Sequence, residues 1–276
     1  MILLAHGAES AGMSFLGQGW MNMEGLWKTD PIDGANAITD WLVSEIAMFT
    51  SIISCAGYAV LQAAVLRCWS PMGASDSGAV RFCLGATVAV PILYFGTQLV
   101  ASPFYPGYSF LRQVASLLGS PNSRHPEIFN AGAIITGVAL IAGGYGMYHA
   151  LRNRRVSPVL SCLAALSMAV VGGTTIQAGI FPLPDHRHTA FGFLVIFLIV
   201  LPLILLLALW SQSDARGVRA FLVACCFAVL LIAPLMSHLI VIPGAGAGLL
   251  QRIFAAVTFL PIGVVGWKLR YCATQA

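Results

Sequence analysis

Charge is what this sequence has least of. Asp, Glu, Lys and Arg make up only 9% of its 276 residues, against roughly 25% in a soluble domain. Too few charged side chains are present to clothe a water-exposed surface of this size, so lipid is expected to cover much of it. Other absences narrow the reading. There is no CxxC spacing, and the seven cysteines fall mostly in apolar runs. They read as small buried hydrophobes, not as a disulfide framework or a zinc site. The apolar start, Met1 to Leu4, is too short for a signal-peptide core and follows no basic region, so the first span is expected to do its own targeting. A net charge of +4 is too small to suggest nucleic-acid binding. GxSxG is missing too, so Ser109, Ser116 and Ser120 remain unsupported as nucleophiles. No motif identifies a cofactor.

Long apolar runs dominate the rest, with 58% of residues hydrophobic. Membrane helices need about 20 predominantly apolar residues. Seven segments qualify: Trp41–Leu66, Val80–Val100, Ile128–Ala150, Val159–Phe181, Thr189–Trp210, Val218–Val241 and Leu249–Leu269. The expected fold is therefore all-α, a polytopic transmembrane helix bundle of about seven spans. It divides into a segment 1–78, holding an outer-face stretch and the first span, and a six-helix membrane core over 79–276. Pro91, Pro202, Pro234 and Pro261 lie inside spans, where packed neighbours tolerate them. Ala133, Gly137, Leu140 and Gly144 form a small-residue stripe, and Gly172, Gly173 and Gly179 offer a facing one. Such stripes let helices approach closely in lipid. Homo-oligomerisation is the competing use of the same stripe.

Arginine and lysine set orientation. Nine fall on the side of the short loops and five on the side of the long ones. This places the N-terminus outside and the C-terminus in the cytoplasm of what is expected to be a bacterial cell membrane.

The remaining polar residues collect at the outer ends of the spans. Asp185-His186-Arg187-His188 is the densest spot. After Pro182 and Pro184 an extended segment is expected, which would put His186 and His188 on one side. Imidazole titrates near neutral pH and suits proton transfer; Asp185, His186 and His188 are the leading acid–base candidates, with Glu45 and Glu127 behind them. His125 and His238 lie at the same level, though the pattern assigns no metal. Arg252, at the start of the last span beside Gln251, combines a guanidinium with a helix N-terminus and suits an anion. Arg112, His125, Asn130, Gln177, Gln251 and Arg252 are the expected substrate-binding set.

Four segments, in order, carry a family resemblance: Tyr105–Gly119 (YPGYSFLRQVASLLG), Asn130–Gly137 (NAGAIITG), Gly179–Phe193 (GIFPLPDHRHTAFGF) and Gly248–Phe254 (GLLQRIF). Over about Val80 to Tyr271 the chain resembles a bacterial and archaeal membrane family catalogued as domain of unknown function 998. The resemblance implies a six-helix core and brings no activity with it; the segment before Gly78 departs from its pattern.

Two functions fit these residues. One is a membrane-embedded enzyme acting on a lipid or isoprenoid at the outer interface, as a terpene-cyclase-like lyase or isomerase or as a lipid hydrolase or transferase. The lyase or isomerase would take its acid from Glu45, Glu127 or Asp185 and its aromatic wall from Trp41, Phe104, Tyr105 and Phe129. The other is a non-catalytic lipid-binding, sensory or transport-accessory protein. The expected partner in either case is a membrane lipid or amphipathic small molecule.

Overall fold

A computed structural model of the chain describes residues 77–188, 194–236 and 246–272. The expected first span, with Trp41 and Glu45, and His238 lie outside the described residues.

Six helices follow one another: α1 (Ser77–Ala101), α2 (Pro126–Asn153), α3 (Pro158–Ile180), α4 (Val195–Ala208), α5 (Arg216–Met236) and α6 (Ala247–Cys272), with short 3-10 turns between them and no strand among the described residues. Five segments containing α1, α2, α3, α5 and α6 are long and apolar enough to cross a membrane. α4 is equally apolar but has 14 residues, about 21 Å of helix at 1.5 Å per residue. The chain is an all-α transmembrane bundle and an integral membrane protein. Its surface agrees, with Phe82, Ile92, Phe227, Leu230 and Trp267 all more than 60% exposed. In water such a surface would drive association; in lipid it is the solvated face.

The helices form despite their glycines and prolines because hydrocarbon offers backbone groups no other partner. Pro126 and Pro158 open α2 and α3, where a missing N–H costs nothing. Pro91, Pro202, Pro234 and Pro261 sit inside helices. α2 and α3 pack most extensively. A Cβ on Gly137 would run into the carbonyl of Gly172, and one on Gly172 would lie 2.6 Å from the carbonyl of Gly137. The two backbones touch, and the small-residue stripe is used within the chain. Gly173, expected in the same seam, faces open space.

The connections divide between two ends. Loop 102–125, the turn 181–188 and the start of α6 share one end. The turns 154–157 and 209–215 share the other, with the start of α1 and the end of α6. At that second end Arg154 makes a forked pair with Asp214 (3.0–3.1 Å), and Lys268 reaches the same carboxylate at 3.1 Å. Gln212 adds a bond to the Arg154 carbonyl. The chain's short turns and last helix are thus tied by charge.

Candidate functional site

At the long-loop end a cavity of about 200 Å³ lies between α1, α2, α3, α4 and α6. Its walls come from the helix turns nearest that end. Tyr94 and Thr97 of α1 face Phe129, Gly132, Ala133 and Thr136 of α2; Val171, Thr174, Thr175 and Ala178 come from α3, Leu194, Val195 and Leu198 from α4 and the residue before it, and Phe254, Ala255 and Phe259 from α6. Val114, Ala115, Ser116, His188 and Gln251 close the end toward the loops. No Lys, Arg, Asp or Glu is among the lining residues. Thr136 turns its hydroxyl to the Gly132 carbonyl, and Thr174 and Thr175 turn theirs to Val171, all on their own helices. Their methyl groups are then left for the cavity, which makes the deep part more apolar than its composition suggests.

Loop 102–125 is held over this cavity by α6. Arg252 Nη1 donates to the carbonyls of Phe110 (2.6 Å), Gln113 (3.0 Å) and Gly248 (2.9 Å), while Nη2 donates to the Tyr108 hydroxyl. Its guanidinium also lies over the Phe110 ring, 4.8 Å from the centroid. Leu249 N donates to the Leu111 carbonyl at 3.0 Å. Carbonyl oxygens therefore occupy both the guanidinium and the helix N-terminus, where the sequence suggested an anion. Gly246 and Gly248 make this docking possible. A Cβ on either would strike a loop carbonyl, Leu111 for the first and Gln113 for the second. The glycines at the start of α6 thus serve a close backbone approach. Gln251 Oε1 accepts from Ala115 N at 2.6 Å, and Asn130 Nδ2 donates to the Gly119 carbonyl at 3.1 Å. Among the expected binding residues, Arg252 and Asn130 fix the loop; Gln251 does so and also lines the cavity. Arg112 is exposed and does not line the cavity.

The second segment departs from its expected shape. His186–His188 is a 3-10 turn, not an extended strand. A turn separates residues i and i+2, so His186 is 71% exposed while His188 is buried. Asp185 accepts from Arg187 at Nε (3.0 Å), Nη2 (2.6 Å) and the backbone N–H (2.9 Å). These bonds hold its carboxyl down to about 2. Such a group stays ionised and is a weak base, which fits the stabilised partner of Arg187 better than a proton donor. Arg187 is completed by the Phe181 ring, 3.9 Å from its guanidinium carbon, and Gln177 Nε2 donates to its carbonyl. His125 and Glu127 pair with each other at 2.9 Å on the surface. Neither Asp185 nor Glu127 lines the cavity, and neither do Phe104 and Tyr105; Phe129 does.

His188 is the member of the cluster that does reach inward. Its Nδ1 lies 3.0 Å from the Ala178 carbonyl and 2.9 Å from the Phe181 carbonyl. Both partners are acceptors, so Nδ1 carries the hydrogen. In the neutral ring Nε2 is then a bare acceptor. Burial pushes the imidazole below its ordinary value, against the pull of the two carbonyls and of Asp185. The ring caps the end of α3, whose last carbonyls have no helical donor. It also brings an uncharged acceptor to the cavity wall.

No three His, Cys, Asp or Glu gather as a metal site among the described residues. Sequence reasoning missed Tyr94, Thr97, Thr136, Thr174 and Thr175. A polar residue inside an apolar span was the available signal, but threonines that bond their own helix are also ordinary in membranes, and spacing alone does not say which ones share a cavity.

The fold and this enclosure define a class: a polytopic helical membrane protein with a cavity under one end of its bundle, lined among the described residues by no charged side chain. The chain belongs to the family described as protein of unknown function (DUF998), whose model matches residues 87–268, from within α1 to within α6. No curated protein and no solved structure matches it.

Proposed function

We propose that the protein binds a lipid or isoprenoid amphiphile inside the membrane, in the cavity under the long-loop end. The supporting observation is the lining itself: mostly apolar, with the hydroxyl residues Tyr94 and Thr97 on α1 and with Ser116, His188 and Gln251 at the loop end. Ligand sites are commonly concave and mostly apolar with a few placed polar groups, and span about 300–1,000 Å³. The volume here is below that range and suits one chain rather than two.

A catalytic version of this reading rests on His188. Its tautomer is set by two backbone carbonyls, which leaves Nε2 as a general base toward a bound head. Base-assisted hydrolysis or transfer fits that group better than an acid-initiated cyclisation, since no described lining residue is a carboxylic acid. The orientation we favour puts the long-loop end outside and the C-terminus in the cytoplasm of a bacterial cell membrane. Eight of the twelve Lys and Arg in the described residues lie toward the short-turn end, as the positive-inside tendency requires.

Mass spectrometry of lipids that copurify in mild detergent tests the binding reading. One lipid class should be enriched with wild type and depleted with Thr175→Phe, which fills the cavity. An identical lipid profile for both proteins would refute it. Green fluorescent protein fused after Ala276 should fluoresce; a dark fusion together with an active alkaline phosphatase fusion would reverse the orientation.

A further inference from the structure

We infer that the cavity selects a single-chain amphiphile with an uncharged, hydrogen-bonding head, such as an alcohol, over the same chain bearing a phosphate. This deepens the proposed binding function and rests on it.

The argument is one of donors, acceptors and missing charge. A buried phosphate needs cations or several N–H donors, because removing its water is costly. The cavity provides neither among the described residues. Arg252 and Arg187, the chain neighbours of the lining residues Gln251 and His188, do not line the cavity themselves, and all of Arg252 but its buried Nε–H is taken up elsewhere. Arg252 is spread over the Phe110, Gln113 and Gly248 carbonyls and the Tyr108 hydroxyl. Arg187 is locked on Asp185 and stacked on Phe181. Freeing either for a ligand would break bonds that now hold the loops, those of Arg252 to the Phe110 carbonyl and of Arg187 to Asp185 among them.

What the loop end does offer matches a hydroxyl. His188 presents an acceptor, since its Nδ1 hydrogen is used by Ala178 and Phe181. Gln251 uses its Oε1 on Ala115 N, which leaves its amide NH₂ as a donor. Ser116 supplies a hydroxyl that can serve either way. An alcohol head can donate to His188 and accept from Gln251 or Ser116. A phosphate has only acceptor oxygens when fully ionised, and the bare Nε2 would repel them. Selection in this site therefore works by leaving an anion without partners, which is a repulsive device as much as an attractive one.

The test uses the full chain in mild detergent with geraniol and geranyl diphosphate, read by native mass spectrometry and by ligand-induced thermal shift. Geraniol should bind at least about tenfold more tightly than the diphosphate, in keeping with the penalty for an unpaired buried charge. Thr175→Phe should abolish geraniol binding, and Ser116→Phe should do so from the loop side if the helix variant fails to fold. Ser116→Ala and Gln251→Leu should each weaken geraniol by about threefold to tenfold, the loss of one hydrogen bond. Equal or tighter binding of geranyl diphosphate, abolished by Thr175→Phe, would overturn the head-group inference and leave the cavity reading standing. Binding of neither probe, or of both with no effect of either Phe variant, would overturn the cavity reading and this inference with it.

Discussion

The two ends of the bundle use charge in opposite ways. At the short-turn end one carboxylate, Asp214, holds Arg154 from the α2–α3 turn and Lys268 from α6. Its ion pairs join segments far apart in sequence. At the long-loop end each ion pair among the described residues is local: Asp185 with Arg187 and His186, and His125 with Glu127, one or two residues apart. The long-range ties there are made instead by Arg252, Gln251 and Asn130 to backbone groups. The cavity sits under the end whose charges are turned away from it. Density of ionisable residues thus marks where the loops are fastened, and the adjacent cavity is lined by no charged side chain among the described residues.

Removing the main fastening gives the largest expected effect. Arg252→Ala deletes three bonds to carbonyls and one to Tyr108. Bonds to charged groups contribute about 1.5–3 kcal/mol each, but they are not additive, and a loss of about 3 kcal/mol is expected. Arg252→Lys should recover only part of it, because an ammonium cannot span the same carbonyls. Thermal unfolding in detergent reads both. A residue serving mainly as an anion site would behave differently: Arg252→Ala would then leave the melting temperature near wild type while weakening the binding of a phosphorylated ligand.

The same residues show how far the sequence could be read. Helix ends expected from hydropathy fall within a few residues of the observed ones for α1, α2, α3 and α6, because lipid imposes one length and one backbone solution on every span. The α2–α3 glycine seam was legible for the same reason: small residues at helical spacing have few other uses. Three loop-end segments meet at one cavity, through Ala115 and Ser116, His188 and Gln251, and the sequence marked them only as polar ends of spans. The individual side chains were not legible. Arg252 and Gln251 are neighbours, yet one faces the loop carbonyls and the other the cavity. His186 and His188 part company because the turn is 3-10. Both outcomes depend on where distant backbone carbonyls end up, and no local pattern carries that information.

A pH titration sharpens the comparison with a smaller effect. His188 has its folded value pushed below the ordinary one of about 6.5 by burial, so the unfolded chain binds the proton more readily. Stability from this group is complete above about pH 6.5 and declines as pH falls below it toward the folded value. The melting temperature of wild type should fall through that window. His188→Gln keeps a donor toward the Ala178 and Phe181 carbonyls and cannot titrate, so its melting temperature should be flatter there. Asp185 acts in a separate window, its contribution fading only as pH drops from the ordinary carboxylate range toward about 2. Parallel curves for wild type and His188→Gln between pH 5 and 7 would remove His188 as the titrating group.

The smallest effect is expected at the end that looks most heavily bonded. Asp214 is 43% exposed in its side chain, and its partners Arg154 and Lys268 are 20% and 25% exposed. Water competes for such pairs and salt screens them, so exposed ion pairs contribute about 0.2–1 kcal/mol. Asp214→Ala should therefore cost about 1 kcal/mol even though it releases two cations. Raising ionic strength should shrink the difference from wild type, because the fork to Arg154 is not sealed from solvent. Arg154 also keeps backbone roles that the substitution leaves in place, among them the bond that its carbonyl accepts from Gln212. Ligand binding at the other end should be unchanged, since Asp214 does not line the cavity. The contrast between the ends fails if Asp214→Ala destabilises the protein as much as Arg252→Ala, or if it alters lipid copurification: the short-turn network would then be coupled to the cavity along the helices, and charge at that end would belong to the site after all.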